Sequence, residues 1–413
     1  MVLYAKSLNA SATVLGIIAG MMPLLAVFQI PAAKYLGRFG YKRFVFAGWG
    51  TRTTFIVGMA LVPLTYSFWD ESTRLVMVLI LLFCFNLVRG ITSCAWLPWT
   101  TALVPQSLRG TYLLKDMAFQ NIGGFVVFLV SAFCLGTHPG TTHFVALFAF
   151  SAVMGGISLN FLRQVPEGQA PAGVKGSSTP VPWREMLFFS PFRKLLVTSL
   201  AWAVAYGGIS TFIVAFLKSE TALTERDIML LMSATFIGGL GSLGFLGSRL
   251  DQLGSKPVLT FAASSWLLLG TGWVLISGKV IGLNIVVVLI LLFGVGLAYS
   301  LANMAQNRLA MAVVPKMGRD HFFALFSVIT NVTLGLSPVF WGVFIDVLAK
   351  IHGKWCGLEL NRFSLFFAVV TLCFLLTAIF ATRLEERNAA TMDELFKDIV
   401  QHSPLRFLQS WRE

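Results

Sequence analysis

Long apolar segments constrain the fold of this chain more than any other feature. A helix needs roughly 20 apolar residues to cross the roughly 30 Å hydrocarbon core of a bilayer. The sequence contains eleven segments of this kind, at about residues 12–36, 44–64, 75–98, 117–136, 143–163, 195–217, 228–249, 257–277, 283–307, 322–347 and 363–382. We therefore predict an all-α, polytopic membrane protein whose main partner is the lipid bilayer.

The composition excludes several functional classes. Of the 413 residues, 56% are hydrophobic and only 12% are charged, whereas soluble domains carry about 25% charged residues. The net charge of +13 does not indicate a nucleic-acid partner, because that function needs a basic face on a water-soluble surface. No phosphate-binding loop, metal-ligand spacing, disulfide framework or catalytic motif is present. We expect no enzyme activity, cofactor or metal.

Polar segments divide the chain into parts. Residues 164–194 are rich in Pro, Gly and Ser, which is typical of a linker. We predict a first bundle at 1–163, a cytosolic linker at 164–194, a second bundle at 195–382 and a cytosolic tail at 383–413. In the tail, Thr391 and Glu394 have the spacing of a capping box before an amphipathic stripe. An interfacial helix is the preferred interpretation, and packing against the cytosolic loops or a solvated tail are the alternatives.

The basic residues predict the orientation. If the loop after the first segment is cytosolic, most of the 31 Lys and Arg residues lie on the cytosolic side, as the positive-inside rule requires. The amino terminus then faces outward and the carboxyl terminus faces the cytosol. We expect the protein in the plasma or inner membrane of the cell.

The chain contains an internal repeat. The segment from Ala33 to Val45 matches the segment from Gly247 to Leu259, and both lie between two apolar segments. Asn121 aligns with Asn331, and Glu167 aligns with Glu386. The two halves are therefore predicted to be tandem copies with parallel topology.

The repeated loop resembles the signature of the major facilitator superfamily, Gly-x-x-x-Asp-Arg-x-Gly-Arg-Arg. The matching positions are Arg38, Gly40 and Lys42 in the first copy and Gly247, Asp251, Gly254 and Lys256 in the second. The first copy has Gly37 where the family has its acid. The resemblance implies that this acid and its basic neighbours hold one conformational state.

The resemblance also implies two bundles of six helices and alternating access without covalent chemistry, so that the protein is a secondary transporter of a small organic solute. Only five segments precede the linker, and mapping segment 195–217 onto the first half places Met1 where a first helix would end. We expect an apolar segment encoded upstream, and a genuine eleven-span protein is the alternative. The rival functions are a non-transporting receptor or scaffold and, less favoured, an intramembrane enzyme.

Polar side chains within the segments are the candidates for substrate binding, because each is costly in lipid. Arg89 has two interpretations, contact with the substrate or a structural bond, whereas Arg52 is interpreted as structural. No acid lies mid-segment, so the coupling ion stays open. The candidates are Asn86, Arg89, Gln120, Asn121, Trp202, Tyr206, Tyr299, Asn303 and Asn331. Amides and rings suit an organic anion or a sugar-like solute, and hydrogen bonds between helices are the alternative. We expect a monomer.

Overall fold

The computed structural model describes residues 1–104, 109–137, 139–167, 188–246, 253–313, 319–355, 357–386 and 390–395, and this part of the chain is almost entirely helical. The helices are α1 (Val2–Ser7), α2 (Ala12–Leu25), α3 (Gln29–Ala32), α4 (Leu36–Phe39), α5 (Tyr41–Leu61), α6 (Glu71–Leu103), α7 (Arg109–Leu135), α8 (Thr141–Gln164), α9 (Ser190–Tyr206), α10 (Ile209–Glu220), α11 (Glu225–Leu246), α12 (Ser255–Ser277), α13 (Ile285–Val313), α14 (Arg319–Val347) and α15 (Arg362–Thr382). Two short strands, β1 (Gly353–Trp355) and β2 (Leu358–Leu360), form an antiparallel hairpin.

Eleven helical segments among the described residues are long and apolar enough to cross a membrane, which confirms the predicted number. Their ends agree with local sequence signals. The last span begins at Arg362, and the Asn361 side chain caps it by accepting hydrogen bonds from the N–H groups of Phe363 and Ser364. Such a cap satisfies N–H groups that have no acceptor within the helix.

The two halves of the chain form similar bundles, which confirms the predicted fold class. Helix α5 packs against α6 and α8, and its repeat counterpart α12 packs against α13 and α15. The bundles meet through two equivalent helix pairs, α2 with α14 and α7 with α11. We call the side of the membrane at which α2 begins the upper side and the opposite side, which carries the repeated loop, the lower side.

Glycines allow the pair of α2 and α14 to approach closely. A Cβ atom added at Gly16 would lie 2.1 Å from the carbonyl oxygen of Pro338, and one added at Gly20 would lie 2.2 Å from that of Gly335. These distances leave no room for a side chain. Small residues commonly serve this purpose in membranes, where close van der Waals packing drives helix association.

The repeated loop has the same backbone form in both halves. Gly40 precedes α5 with φ 73° and Gly254 precedes α12 with φ 87°, a left-handed conformation that favours glycine. Glu386 accepts hydrogen bonds from the N–H groups of Ser255 and Lys256 at the start of α12. Its repeat counterpart Glu167 lies beside Gly40, 2.5 Å from where a Cβ atom would be.

Other residues of the motif have local structural contacts. Lys42 donates a hydrogen bond to the carbonyl oxygen of Arg163, and Arg38 is exposed in α4. The predicted motif residues Gly247 and Asp251 lie outside the described residues, as does most of the predicted linker.

The sixth predicted segment is broken in the structure. Helix α9 ends at Tyr206, Gly208 has φ 79°, and α10 begins at Ile209. The break frees the carbonyl oxygen of Val204, which instead accepts hydrogen bonds from the side chains of Ser337 (2.7 Å) and Trp341 (2.8 Å) on α14. The broken helix is thereby attached to its neighbour at mid-membrane depth.

The start of the tail packs against the second bundle. Thr391 and Glu394 form the predicted capping box, with 2.8 Å between the Thr391 N–H and the Glu394 carboxylate. Leu395 is buried, and the Ala390 N–H donates to the carbonyl oxygen of Leu253. This part of the tail therefore contacts a lower-side loop, which was the alternative interpretation; the remainder of the predicted amphipathic helix lies outside the described residues.

Candidate functional site

A cavity of about 600 Å³ lies between the two bundles. The first bundle contributes α1 and α7 to its walls, and the second contributes α9, α10, α11 and α13. This volume is typical of sites for small organic molecules. Its position between the halves means that a relative movement of the bundles changes its shape.

Five of the predicted binding residues line this cavity, namely Gln120, Asn121, Tyr206, Tyr299 and Asn303. The Tyr206 and Tyr299 rings stack with their centroids 4.6 Å apart and an angle of 17° between their planes. The Asn303 side chain lies one helical turn beyond Tyr299 on α13. The cavity thus combines flat aromatic faces with amide groups.

Trp202 lies behind the cavity rather than in its wall. Its ring stacks on Tyr206, with centroids 5.8 Å apart and planes 5° apart. Trp266 and Phe374 contact the Trp202 ring edge to face. Trp202 therefore supports the cavity wall through Tyr206.

The remaining predicted binding residues do not line this cavity. Asn86 is buried and donates to the Leu82 carbonyl of its own helix, and Asn331 donates to the Ser327 carbonyl in the same way. A guanidinium nitrogen of Arg89 lies 2.9 Å from the sulfur of Met22. The two asparagine bonds lie within single helices and not between helices.

The Arg52 side chain contacts two aromatic rings. Its guanidinium lies over the rings of Trp49 and Phe85, at 4.6 and 4.8 Å from their centroids. Cation–π contacts of this kind stabilise a desolvated arginine.

The sequence analysis missed most of the apolar lining. The unpredicted apolar lining residues include Met117, Met229, Met232, Phe236 and Val295. An apolar residue in a membrane helix gives no signal that separates a cavity face from a lipid face, because both are apolar. Only polar residues stand out in such a helix.

The upper ends of the bundles are joined by Asp346 of α14. Its carboxylate accepts hydrogen bonds from the N–H groups of Ala12 (3.0 Å) and Thr13 (2.8 Å), and from the Thr13 hydroxyl (2.6 Å). A carboxylate at a helix N-terminus is stabilised by the helix dipole. We call this set of bonds the Asp346 contact.

Comparison with known proteins identifies the family. No curated protein matches this sequence. The chain is similar to the solved structures of the xylose transporter XylE from E. coli in an inward open conformation (TM-score 0.68, 16% identity, 94% of this chain and 90% of that chain) and of the nucleoside transporter NupG (TM-score 0.64, 12% identity, 93% and 94%). It is also similar to the transporter FucP in the outward conformation (TM-score 0.58, 14% identity, 90% of both chains).

These structural similarities establish the fold. The family model described as Major Facilitator Superfamily matches residues 1–338, which is most of the chain. The chain therefore belongs to the Major Facilitator Superfamily, and it is a multi-pass membrane transporter rather than an enzyme.

Proposed function

We propose that this secondary transporter moves a small organic solute through the cavity between its bundles by alternating access. The cavity carries the proposal, because its walls come from both halves of the chain and each half contributes polar groups to them. Two related structures are known in an inward open and an outward conformation. Rocking of the bundles about the α2–α14 and α7–α11 contacts would open the cavity to each side in turn.

A disulfide across the Asp346 contact tests this mechanism. The Thr13 hydroxyl and the Asp346 carboxylate are 2.6 Å apart, so cysteines at these two positions would face each other across the contact between the bundles. In proteoliposomes that contain the Thr13→Cys, Asp346→Cys variant, we expect oxidation to stop uptake and reduction to restore it. Labelled xylose and uridine are suitable first probes, given the names of the related structures.

The single-cysteine variants Thr13→Cys and Asp346→Cys are the controls, since neither can form the bridge. Uptake that is equal in the oxidised and reduced double variant would contradict alternating access at this contact. A protein that binds solutes but transports none would be a receptor or scaffold.

We propose that the lower side faces the cytosol of the cell and that the membrane is the plasma or inner membrane. The described basic residues of the lower side include Lys34, Arg38, Lys42, Arg43, Arg163, Arg193, Lys194, Lys256, Arg308 and Arg383. A fluorescent protein fused to the carboxyl terminus should mature and fluoresce if that terminus is cytosolic. Protection of the fusion from external protease in intact cells completes the test.

A further inference from the structure

We infer that the cavity binds an uncharged, flat, ring-containing solute that carries amide or carbonyl groups. This inference rests on the proposed function, because it takes the cavity as the transport site. It narrows the substrate to one chemical class.

The first observation is the absence of charged side chains. The amino group of Met1 also lies at the cavity wall, and burial lowers its pKa to about 6, so it is mostly uncharged at pH 7. None of the side chains that line the cavity, all of them described residues, is Asp, Glu, Lys, Arg or His. The guanidinium groups of Arg52 and Arg89 contact other residues, as described above. An anion without a cationic partner loses its hydration and gains little in return, so its transfer into such a cavity is unfavourable.

The second observation is a column of stacked rings. Trp202, Tyr206 and Tyr299 are nearly parallel, and the centroid distances along the column are 5.8 and 4.6 Å. Tyr299 ends the column, is 39% exposed and has no further ring partner among the described residues. A planar solute would extend the column at Tyr299, since aromatic rings favour offset stacking.

The third observation concerns side-chain donor and acceptor groups at the cavity that have no hydrogen-bond partner in the part of the chain that the structure describes. Asn121 uses its NH₂ group on the Met117 carbonyl, and Asn303 uses its oxygen to accept from Asn307. The Asn121 side chain therefore keeps its oxygen as an acceptor, and the Asn303 side chain keeps its NH₂ group as a donor. This pair complements the carbonyl and N–H groups of an amide-bearing ring.

The start of α10 strengthens this assignment. Ser210 and Thr211 in its first turn line the cavity. The Thr211 side chain is 8% exposed and has no hydrogen-bond partner among the described residues. A helix N-terminus carries partial positive charge and open N–H groups, which suit the oxygen of a carbonyl group.

A sugar fits this cavity less well. Much of the remaining wall consists of the thioethers of Met117, Met229 and Met232 and the rings of Phe128 and Phe236. Hydroxyl groups that faced this surface would lose water without gaining partners, at a cost of about 1 to 3 kcal/mol each. A ring buries its apolar faces there instead.

Matched pairs of compounds test the inference. Thermal unfolding of the purified full-length protein is measured with uracil, nicotinamide and benzamide, with their carboxylate counterparts orotate, nicotinate and benzoate, and with xylose and glucose. We expect stabilisation by members of the neutral ring group alone. Stabilisation by a carboxylate or a sugar, or by no neutral ring compound, overturns the inference.

Variants at Tyr299 identify the site of binding. Tyr299→Leu removes the end of the ring column and should weaken the binding of the stabilising compound about tenfold, whereas Tyr299→Phe keeps the ring and should retain most of the affinity. Arg89→Gln should leave the affinity unchanged. Equal effects of the Leu and Phe variants would place the compound elsewhere and contradict the inference.

Uptake separates this inference from the proposed function. If a neutral ring compound binds at Tyr299 but never enters proteoliposomes, the proposed transport function is wrong and the binding assignment stands. Uptake that is confined to anions or sugars has the opposite meaning, because it supports transport and overturns the substrate class.

Discussion

At the scale of single residues, the carboxylate of Glu386 contacts three groups. It is 6% exposed, it accepts two N–H groups at the start of α12, and it lies 2.8 Å from a guanidinium nitrogen of Arg308. One carboxylate therefore links Arg308 of α13 to the start of α12. Its neighbour Glu385 pairs with Lys194 on the surface and is half exposed.

These two adjacent acids give a matched prediction. Glu386→Ala should lower the free energy of unfolding by about 3 kcal/mol, since it removes the carboxylate that pairs with a partly buried arginine and accepts two N–H groups at a helix start. Glu385→Ala should change it by less than about 0.5 kcal/mol, as expected for a surface pair. Reversible unfolding in mixed detergent micelles measures both values. Similar losses for the two variants would contradict this account.

The Lys279–Glu359 ion pair predicts a pH dependence on the upper side. The two side chains are 2.8 Å apart and join the end of α12 to β2. The hydrogen bond from Lys279 lowers the pKa of Glu359 below its ordinary 4.5, and the same bond raises the pKa of Lys279 above 10.5. The stabilising effect on the hairpin is therefore present between about pH 5 and about pH 10, and is lost below and above that range.

Hydrogen exchange of the β1–β2 amides measures this effect after correction for the intrinsic exchange rate. We expect constant protection across the central pH range and a decrease as Glu359 is protonated. Glu359→Gln removes the titrating group, so its protection should no longer change in acid. An unchanged acid response in that variant would assign the effect to another group.

At the scale of elements, the close pair of α2 and α14 gives a steric prediction. A methyl group at Gly20 would overlap the Gly335 carbonyl oxygen, whereas one at Gly156 of α8 meets nothing within 4 Å. Gly20→Ala should therefore cost about 1 to 3 kcal/mol of stability and slow uptake. Gly156→Ala should cost nothing, because alanine favours helix more than glycine does.

Both glycine variants are compared by thermal unfolding and by uptake in proteoliposomes. If Gly20→Ala unfolds and transports as the unsubstituted protein does, the close approach of α2 and α14 is not required for either property.

The sequence predicted helices better than it predicted side-chain directions. Hydropathy identified the eleven spans because lipid requires about 20 apolar residues per crossing. Polarity within an apolar segment made Asn86 and Asn331 candidates for substrate binding, yet both bond to carbonyls of their own helices. Spacing defines a face of a helix but not the rotation of that face toward the cavity. The sequence did predict Tyr299 and Asn303, because they are polar residues within an apolar segment, and both line the cavity.

At the scale of the whole molecule, the repeat explains how the bundles meet. Helices α2 and α11 are repeat counterparts, as are α7 and α14, so the contacts of α2 with α14 and of α11 with α7 are equivalent. The Asp346 contact has no such counterpart among the hydrogen bonds of the described residues. It therefore acts on one of the two equivalent contacts and on one side of the membrane.

Removing the charge of Asp346 should shift the conformational equilibrium. A carboxylate at a helix N-terminus contributes up to about 2 kcal/mol, so Asp346→Asn should increase the fraction that is open on the upper side about tenfold. Electron–electron distance measurements between spin labels at Ser72 and Lys354, both exposed on the upper side, report this opening. We expect a new population at longer distance.

Asp227→Asn is the matched control for this measurement. Asp227 also accepts hydrogen bonds from a backbone N–H and a hydroxyl group, both of Thr224, but these residues belong to the same bundle. Its substitution should leave the distance distribution unchanged. A shift of equal size in the two variants would mean that local helix stability, not the bond between bundles, sets the opening.

The break between α9 and α10 lies in the wall of the cavity. Val204 holds the lower segment to α14, while Ser210, Thr211 and Val214 belong to the upper segment. The angle between the two segments at Gly207 and Gly208 therefore sets where these three residues lie relative to Tyr206, so a change in that angle would reshape the cavity.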